Sequence, residues 1–450
     1  MIQTYKYLHF VTLQSLVNWS VAHLLNRDIG FTRHYPFVKI GDVIHRNATL
    51  VTIDDKKLYK QITLKTNGGG AVLRDEKLGK DIRTKKQYLA KEGQFIMSKI
   101  DARNGAFGVV SNELNNAIVT GDFPLFDVDE KKINPVYLFL LSSTQPFVKY
   151  AQSCSRGTTN RQRIDIDAFL SLQIPLPSLE EQNKIVAAYN ATIAQADNLS
   201  HQAGDINDQI ETYLQDALGV EKSNKLVDKN SNGFLRFVKY KDIDKWGCDF
   251  ITKGVKSLSS NKYITKKIYQ LCDISSGGTP SRSRKEYYGG DIPWIKTGEL
   301  QNEVLTDTEE KLTLLGLNNS SAKLYPKGSL IVAMYGATIG KTAKLGVGAT
   351  TNQACAVLFN IDNNQIQTDY LWVYLQSQTD KLKSMAYGGA QPNINAGIVA
   401  NYEIPIPPLA IQNEIVEHIS VLRAEQKNLQ QQASDLRAQT QQQFVQTIFE

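Results

Sequence analysis

Arginine side chains are concentrated around Gly157, in the first half of the chain. Three of them fall within eight consecutive positions, between residues 156 and 163. Guanidinium groups form paired hydrogen bonds with phosphate oxygens and with the edge of guanine, so this cluster is suited to contact with a nucleic acid. The alternative is an internal cluster in which Asp165 and Asp167 neutralise the arginines. The candidate contact residues of this segment are Arg156, Thr158, Asn160, Arg161 and Arg163.

A glycine-rich turn follows the apolar segment Leu330–Met334 in the second half, and it ends in Gly340, Lys341 and Thr342. A strand followed by such a turn is typical of phosphate-binding loops, which need four residues between their glycines. Only three residues separate Gly336 from Gly340, so the sequence does not predict nucleotide hydrolysis. Glycine nevertheless allows the backbone to approach a large ligand closely. The candidate contact residues are Tyr335, Thr338 and Lys341 on this turn, and Lys99, Arg103 and Asn104 on a matching turn in the first half.

Further polar and basic residues in the second half could contact nucleic acid. The loop from Thr279 to Lys285 is short, basic and rich in hydroxyls, which suits phosphate contact. Gln391 and Asn393 carry amides that could pair with adenine. A solvated surface loop is the alternative for each of them. The candidates in these stretches are Thr279, Ser281, Arg282, Arg284, Lys296, Gln391 and Asn393.

Catalytic and metal-binding signatures do not stand out in the sequence. There is no Ser/His/Asp order or paired-carboxylate pattern, and the four cysteines and six histidines are dispersed without zinc-ligand spacing. Asn134 to Tyr137 resembles the Asn-Pro-Pro-Tyr loop of amino-methyltransferases, but valine replaces its second proline and no glycine-rich cofactor loop precedes it. The sequence therefore predicts a binding protein with no catalytic residue, cofactor site or metal site of its own.

Charge is unevenly distributed along the 450 residues, whose formal net charge is +6. The segment 179–219 holds seven acidic residues against one lysine, and 410–450 holds five against three basic residues, so the rest carries about +14. Basic regions beside acidic segments indicate a polyanionic partner, whereas charge that only maintains solubility is the alternative. The longest apolar runs are too short to cross a bilayer and the N-terminus has no secretory signal, so we expect a cytoplasmic protein.

One thirteen-residue pattern occurs twice and organises the chain. Ile174 to Val186 recurs as Ile404 to Val416, about 230 residues later, which is roughly half the chain. In each copy two prolines end an extended segment and a long helix follows. Ser178 and Glu181 have the spacing of a capping box in the first copy, and Pro408 is compatible with the first turn of the helix in the second.

The duplication extends over nearly the whole chain. Tyr7 to Val11 matches Phe234 to Val238, and Phe37 to Asp42 lines up with Ile268 to Asp273. Short strand-like segments separated by turns, with a few helices, indicate an α+β fold for each repeat. The predicted organisation is two globular regions, residues 1–178 and 220–408, each followed by one long helix, residues 179–219 and 409–450.

Two equivalent amphipathic helices are predicted before the proline-containing patterns, over Asn134–Tyr150 and Thr368–Met385. In the first region, residue alternation and glycines predict strands and turns. The strands are Gln61–Thr66 and Gln94–Ser98, and the turns are Asn67–Gly70 and Asn104–Gly105.

The two long helices carry apolar seams with alternating spacings of four and three, the repeat of a coiled coil. Each helix of about 40 residues is about 60 Å long and cannot bury its seam alone. We expect the two helices to pair antiparallel about a pseudo-two-fold axis, and pairing with another chain is the alternative. The seam of the first helix is Ile185, Tyr189, Thr192, Ala196, Leu199, Ala203, Ile206, Ile210, Tyr213 and Ala217. That of the second is Ile415, Ile419, Leu422, Gln426, Leu429, Ala433 and Leu436, shifting toward Phe444 and Ile448.

The repeated pattern that leads into each long helix resembles the specificity subunit of Type I restriction-modification enzymes. So do Gly277 to Ser281, Asp291 to Leu300 and Gly328 to Lys344 in the second half. The resemblance covers essentially the whole chain. The first half lacks the Gly-Gly-Thr-Pro and Ile-Pro-Trp stretches, so it is similar to a different class of target-recognition domain.

This resemblance implies a non-catalytic subunit that binds a bipartite, asymmetric target in double-stranded DNA. Two target-recognition domains would each recognise one half-site in the major groove, and the paired helices would fix the spacing. The implied partners are two methyltransferase subunits that use S-adenosylmethionine and motor-nuclease restriction subunits that use ATP and magnesium, with no membrane partner. A self-contained DNA-modifying enzyme with a degenerate site and a coiled-coil scaffold without a DNA role are the alternative functions.

Overall fold

A computed structural model of the chain describes residues 31, 34–156, 163–220, 260–387 and 392–449. The predicted match of Tyr7–Val11 with Phe234–Val238 lies outside these residues. The chain divides into two compact units: unit 1 is Met1–Leu199 with Gln431–Glu450, and unit 2 is Ser200–Gln430. Each unit combines strands and short helices with about half of each long helix, so the α+β prediction is confirmed.

Unit 1 contains a four-stranded and a five-stranded sheet. Its strands are β1 (Phe37–Lys39), β2 (Ile44–Asn47), β3 (Leu50–Thr52), β4 (Leu58–Leu64), β5 (Ala71–Leu78), β6 (Lys86–Leu89), β7 (Phe95–Met97), β8 (Phe107–Val109), β9 (Ile118–Val119), β10 (Leu125–Val128), β11 (Ser155–Arg156), β12 (Arg163–Ile164) and β13 (Gln173–Pro175). Its helices are α1 (Pro135–Ser142), α2 (Gln145–Gln152), α3 (Ile166–Leu170) and the first half of α4 (Leu179–Leu218). The strand orders are β2-β10-β7-β8 and β3-β6-β9-β4-β5.

Unit 2 contains a five-stranded and a three-stranded sheet. Its strands are β14 (Thr265–Lys267), β15 (Asp273–Ser276), β16 (Tyr288–Ile295), β17 (Val304–Leu305), β18 (Lys311–Leu312), β19 (Leu330–Ala333), β20 (Thr342–Leu345), β21 (Thr350–Thr351), β22 (Cys355–Phe359) and β23 (Glu403–Pro405). Its helices are α5 (Leu314–Asn318), α6 (Thr368–Ser377), α7 (Thr379–Ser384), α8 (Ala396–Ala400) and the first half of α9 (Leu409–Phe449). The strand orders are β15-β22-β19-β20-β17 and β18-β16-β21.

A shared scaffold is evident when the two units are compared strand by strand. The order β2-β10-β7-β8 in unit 1 has the same connectivity as β15-β22-β19-β20 in unit 2. In addition, β1 pairs with β13 and β14 pairs with β23, both antiparallel. The units differ where the chain leaves the scaffold, between β2 and β7 and between β15 and β19. We call residues 48–94 insert 1 and residues 277–329 insert 2.

The structure corrects the predicted alignment of Phe37–Asp42 with Ile268–Asp273 by three residues. Ile40 N–H donates to the carbonyl of Leu172 (2.9 Å) and Ile268 N–H donates to that of Tyr402 (3.0 Å). Each isoleucine starts an equivalent 3₁₀ turn and is fully buried. Ile40 is therefore the counterpart of Ile268.

Each of the two predicted amphipathic helices is broken into a pair. In unit 1, Pro146 has no N–H to continue the hydrogen-bond ladder of α1, and Thr144 caps the new helix α2 by accepting from Phe147 N–H (3.4 Å). In unit 2 the break falls at Gln378, whose side chain accepts a hydrogen bond from the hydroxyl of Tyr402 (2.8 Å). No proline is present at the second break.

The long helices α4 and α9 pair antiparallel, as predicted. In unit 1 the Tyr189 ring lies 6.3 Å from that of Phe444 between centroids. In unit 2 the Tyr213 ring lies 4.1 Å from that of His418, and Gln426 Nε2 donates to the carbonyl of Ala203 (2.8 Å). Early residues of one helix therefore contact late residues of the other. All the predicted seam positions are buried or half-buried.

The core of each unit includes residues from the C-terminal half of a long helix. Phe444 and Ile448, near the end of α9, are buried in the core of unit 1 with the shared sheet. Ile206 and Leu214, in the second half of α4, are buried in the core of unit 2. The helix that follows each globular region thus completes the core of the other unit.

A buried glutamine fixes the start of each long helix. Gln182 is fully buried; its Nε2 donates to the carbonyls of Pro177 (2.8 Å) and Lys132 (3.1 Å), and its Oε1 accepts from Asn134 N–H (2.8 Å). Asn134 is the N-cap of α1, so one side chain joins the first turn of α4 to the start of α1. The cost of burying an amide is offset because three of its hydrogen bonds are made.

The same arrangement occurs in unit 2 around Gln412. Its Nε2 donates to the carbonyls of Pro407 (2.8 Å) and Gln365 (3.0 Å), and its Oε1 accepts from Gln367 N–H (2.8 Å). The glutamine of each repeated pattern thus links three backbone groups, and we call this arrangement the glutamine clamp. A buried tyrosine adds a further bond in each unit, from Tyr137 to the carbonyl of Pro175 (3.1 Å) and from Tyr370 to that of Pro405 (2.8 Å).

The predicted helix starts at the two patterns differ in detail from the structure. Ser178 accepts from Glu181 N–H (3.3 Å), but the Glu181 carboxylate accepts from the hydroxyl of Tyr35 (2.8 Å), so half of the capping box forms. Pro408 immediately precedes α9, and its carbonyl accepts from Gln412 N–H (3.0 Å). Both helices therefore start where the pattern indicated.

We expect Gln412→Leu to lower the stability of unit 2 by about 2–4 kcal/mol, because two carbonyls and one N–H of buried or half-buried residues lose their partner. The urea-unfolding midpoint of the full chain measures this effect. Gln442→Leu, at an exposed position on the same helix, is the matched control. Equal midpoints for the two variants would show that the clamp does not stabilise the junction.

Candidate nucleic-acid interface

A glycine turn joins the neighbouring strands β7 and β8 in unit 1 and β19 and β20 in unit 2. In unit 1 the 3₁₀ turn Ala102–Asn104 ends at Gly105, with φ +77°. In unit 2 the 3₁₀ turn Gly336–Thr338 leads to Gly340, with φ +81°. An L side chain is strained in this left-handed region, so both turns depend on glycine. The two turns predicted to match are equivalent in the structure.

A short hairpin lies beside each glycine turn. In unit 1, β11 pairs antiparallel with β12, and Ile164 N–H donates to the carbonyl of Lys99 on the turn (2.9 Å). In unit 2, Tyr387 and Asn393 form an isolated bridge, and Ile394 N–H donates to the carbonyl of Met334 (2.9 Å). The described ends of the two segments predicted to match, 156–163 and 388–393, are therefore equivalent. The side chain of Arg156 and all of Thr158, Asn160, Arg161 and Gln391 lie outside the described residues.

Arg163 is the best defined basic residue of the unit 1 hairpin. Its side chain is 58% exposed and forms an ion pair with Asp122 (3.1 Å), not with Asp165 or Asp167. Asp165 instead accepts from Ala168 N–H (2.9 Å) and caps α3. A pair this exposed is weak and can exchange its carboxylate for a phosphate at little cost.

The glycine turn of unit 1 presents Lys99, Arg103 and Asn104, of which Asn104 is exposed and the other two are half-buried. The carbonyl of Lys99 binds the hairpin, and the Asn104 carbonyl accepts from Asn67 N–H (2.8 Å). The structure therefore joins the turn, through Lys99, to the strand that carries Arg163.

The unit 2 turn brings Tyr335, Thr338 and Asn393 together. Tyr335 is 46% exposed and pairs with Asn393 in a β-bridge, and the Thr338 hydroxyl donates to the carbonyl of Tyr335 (2.9 Å). Lys341 donates to Gln301 of insert 2 (3.2 Å). The 49% exposed Tyr387, on the facing side of the hairpin, was missed by sequence reasoning. Its position before two glycines was the signal available.

The Gly-Lys-Thr at the end of this turn starts strand β20, not a helix. A phosphate-binding loop directs its amides to phosphate from a helix N-terminus, which this geometry lacks. The structure therefore agrees with the sequence in not supporting a nucleotide-hydrolysing loop.

Arg282 in insert 2 is held by aromatic and acidic neighbours. Its guanidinium lies 4.5 Å from the ring centroid of Tyr288 and 4.9 Å from that of Trp294, and it pairs with Glu310 (2.7 Å). Trp294 is buried and donates through Nε1 to the carbonyl of Gly278 (3.0 Å). Arg282 thus stabilises the loop that contains the other hydroxyl and basic candidates, while about half of its side chain remains exposed.

Lys296 shares the same carboxylate. Its amine lies 3.2 Å from Glu310 and 3.4 Å from Glu309. Hydrogen bonds from Arg282 and then Lys296 lower the pKa of Glu310, and the bond to Glu310 raises the pKa of Lys296. Two of the predicted contact residues are therefore neutralised within insert 2.

The remaining candidates of insert 2 are exposed on the same loop. Thr279 hydrogen bonds Gln353, the hydroxyls of Ser281 and Ser283 are 2.8 Å apart, and Arg284 lies 3.4 Å from Glu286. Among the described residues, no hydrogen bond or ion pair joins this loop to the turn that carries Tyr335. The structure thus divides the unit 2 candidates into two groups.

The chain matches a family model described as "Type I restriction modification DNA specificity domain" twice, over residues 33–211 and 261–435. The two matches correspond to the two repeats, and each extends from the start of the described scaffold into the long helix that follows. Together they cover most of the chain.

Several known proteins are similar to this chain. The Type I restriction enzyme HindI specificity subunit of Haemophilus influenzae is 28% identical over 369 residues, 73% of this chain and 80% of that protein. The MjaIX specificity subunit of Methanocaldococcus jannaschii is 28% identical over 181 residues, 39% of this chain and 41% of that protein. A solved structure concerning "complex assembly" and "conformational transition of the type I R-M system" matches with a TM-score of 0.54 and 18% identity, covering 92% of this chain and 96% of that one. The structural match shows a shared fold.

Two structural features are absent from the described residues. None of their helices is long and apolar enough to cross a membrane. Nor do they contain a group of three or more His, Cys, Asp or Glu residues placed to hold a metal ion.

We expect Glu310→Gln to lower the melting temperature of the full chain at pH 7. The pKa of Glu310 is lowered in the folded state, so its ionised form adds stability above the unfolded pKa of about 4.3. That contribution is lost as the pH falls through the lowered folded pKa, so the difference from wild type should shrink below about pH 4. Glu309→Gln, at the 79% exposed neighbouring carboxylate, is the control. The same pH dependence in both variants would contradict the assignment.

Proposed function

The chain belongs to the Type I restriction modification DNA specificity family, and we propose that its two units bind the two halves of a bipartite, asymmetric target in double-stranded DNA. It is the specificity subunit of a Type I restriction-modification enzyme and is itself non-catalytic. Family membership thus favours this function over the two alternatives, an independent DNA-modifying enzyme and a scaffold without a DNA role.

The observation that supports two half-sites is that one scaffold carries two different inserts. Both units place a glycine turn beside a hairpin at the same position of the shared sheet. Insert 1 and insert 2 differ in strand order and in sequence. Equal scaffolds with unequal variable parts are suited to bind the same polymer at different base sequences.

Contact to DNA in unit 1 is assigned to the glycine turn and the hairpin beside it, and in unit 2 to the equivalent surface with the loop of insert 2. Lysine and arginine would contact phosphates, and amide and guanidinium groups would contact base edges. Arg282 and Lys296 would act mainly by holding that loop, because Glu310 and Glu309 together neutralise both. The proposed residues are Lys99, Arg103, Asn104, Arg156, Thr158, Asn160, Arg161, Arg163, Thr279, Ser281, Arg282, Arg284, Lys296, Tyr335, Thr338, Lys341, Gln391 and Asn393.

The proposed functional division is two target-recognition domains, residues 1–178 and 220–408, joined to two helices, residues 179–219 and 409–450. Two methyltransferase subunits that use S-adenosylmethionine, and restriction subunits that use ATP and magnesium, are the proposed partners in the cytoplasm. Membership of the family and the likeness of the fold to a structure concerned with complex assembly support this arrangement.

We expect Arg161→Ala and Arg163→Ala to weaken binding to target DNA about tenfold each, because each removes a phosphate or guanine contact. The target is first defined by mapping methylated adenines in cells with and without the gene, and a gel-shift assay with that duplex measures affinity. Lys184→Ala, 74% exposed on the acidic helix α4, is the control for loss of one charge. Wild-type affinity in both arginine variants would show that these two residues do not contact DNA, and the proposed function would still stand.

Insertion of one heptad into α4, with a matching heptad in α9 to preserve the paired seam, is expected to lengthen the spacer of the target. Seven helical residues add about 10 Å, which corresponds to about three base pairs of DNA. Methylated-adenine mapping compares the spacer before and after the insertion. A spacer of unchanged length would show that the helices do not set the spacing.

A further inference from the structure

Insert 1 contains a β-hairpin that reaches the glycine turn of unit 1. Strands β4 and β5 pair antiparallel from Leu58↔Leu78 to Leu64↔Ala71, and residues 65–70 form the tip. At the tip, Asn67 N–H donates to the carbonyl of Asn104 (2.8 Å) and Gly68 N–H donates to that of Gly105 (3.2 Å). The hairpin tip is therefore bonded directly to the surface assigned to DNA.

The tip is held in one position from a second side. Asn67, Gly68 and Gly70 all have positive φ, at 55°, 75° and 71°. A Cβ atom placed on Gly68 would lie 2.9 Å from the Cβ of Ser143, just after α1, and one on Gly70 would lie 3.4 Å from the ring of Phe139. The glycines thus permit close packing of the tip on the shared scaffold, and the tip is pre-arranged before any ligand binds.

Lys65 gives this tip a positive charge. It is exposed, and it forms no ion pair with another described residue, whereas Lys77 farther along the hairpin pairs with Asp75 (2.9 Å). The backbone N–H of Lys65 donates to the carbonyl of Gly70 (3.0 Å), and this bond closes the tip. An exposed amine without a carboxylate partner, next to a glycine backbone, has the chemistry of a phosphate contact.

Insert 2 approaches the equivalent turn of unit 2 with different chemistry. Asn302 has φ +62° and forms a turn of insert 2. Its side-chain oxygen accepts a hydrogen bond from Thr342 N–H (3.0 Å). Its neighbours are Gln301, which accepts from Lys341 (3.2 Å), and Glu303, 3.8 Å from Lys427. The segment at the same place in unit 2 is therefore neutral or acidic where that of unit 1 is basic.

We infer that the tip of the β4–β5 hairpin, residues 65–70, contacts the DNA phosphates of the half-site bound by unit 1, and that the 301–303 turn of unit 2 makes no corresponding contact. This inference rests on the proposed DNA-binding function. It assigns to insert 1 a binding element that the sequence motifs did not indicate.

Lys65→Ala tests the contact, with Lys57→Ala as a matched control. Both lysines are exposed, lie in insert 1 and form no ion pair among the described residues. They flank β4 at opposite ends, about 25 Å apart along an extended strand. The full-length chain is titrated with the duplex defined by adenine mapping at several salt concentrations. Thermal melting verifies that each variant is folded.

The expected result is that Lys65→Ala lowers the slope of log affinity against log salt by about one, while Lys57→Ala keeps the wild-type slope. Equal slopes for wild type and Lys65→Ala would overturn the inference and leave the proposed function intact. An equal loss in both variants would also overturn it, because the effect would then be one of general charge. Wild-type chain without salt-dependent duplex binding would overturn the proposed function itself.

Discussion

The buried glutamine at the start of each long helix is the interaction on which the rest of the structure depends. Gln182 and Gln412 are both fully buried, and each bonds two carbonyls and one backbone N–H. One carbonyl belongs to the second proline of the repeated pattern, just after its strand, and the other two groups belong to residues that lead into a short helix of the scaffold. A helix of about 40 residues is about 60 Å long. A small change in the direction of its axis at the first turn would therefore displace its other end by many ångströms.

Completion of each core by the other repeat's helix adds a second constraint. Phe444 belongs to the second repeat yet packs with Tyr137 and Tyr189 in unit 1. Ile210 belongs to the first repeat yet is buried in unit 2. Each core is incomplete without apolar residues from the long helix of the other repeat. The two repeats therefore depend on each other for stability. This dependence explains why both seams remain apolar along most of their length.

Periodic features of the fold could be predicted from the sequence, and features that depend on distant partners could not. The seam residues from Ile185 to Ala217 followed from spacing alone, since a helix imposes one period along its length. The helix break at Pro146 was missed although its cause is local, because the apolar pattern continues through it. Arg282 and Glu310, which form an ion pair, are 28 positions apart. No local pattern encodes this pair or the contact of Arg282 with two aromatic rings. Of the site, the equivalence of the two glycine turns was predictable, whereas the approach of Asn67 to Asn104 depends on how insert 1 folds.

The attachment of the inserts to the shared sheet has an evolutionary consequence. Insert 1 leaves the sheet from β2 and returns on β7, and both strands pair with β10. Insert 2 likewise leaves from β15 and returns on β19, and both pair with β22. The two ends of each insert are therefore separated by a single strand, about 10 Å across the sheet. Recombination between genes of this family could exchange such a segment while the glutamine clamp and both helices stayed unchanged.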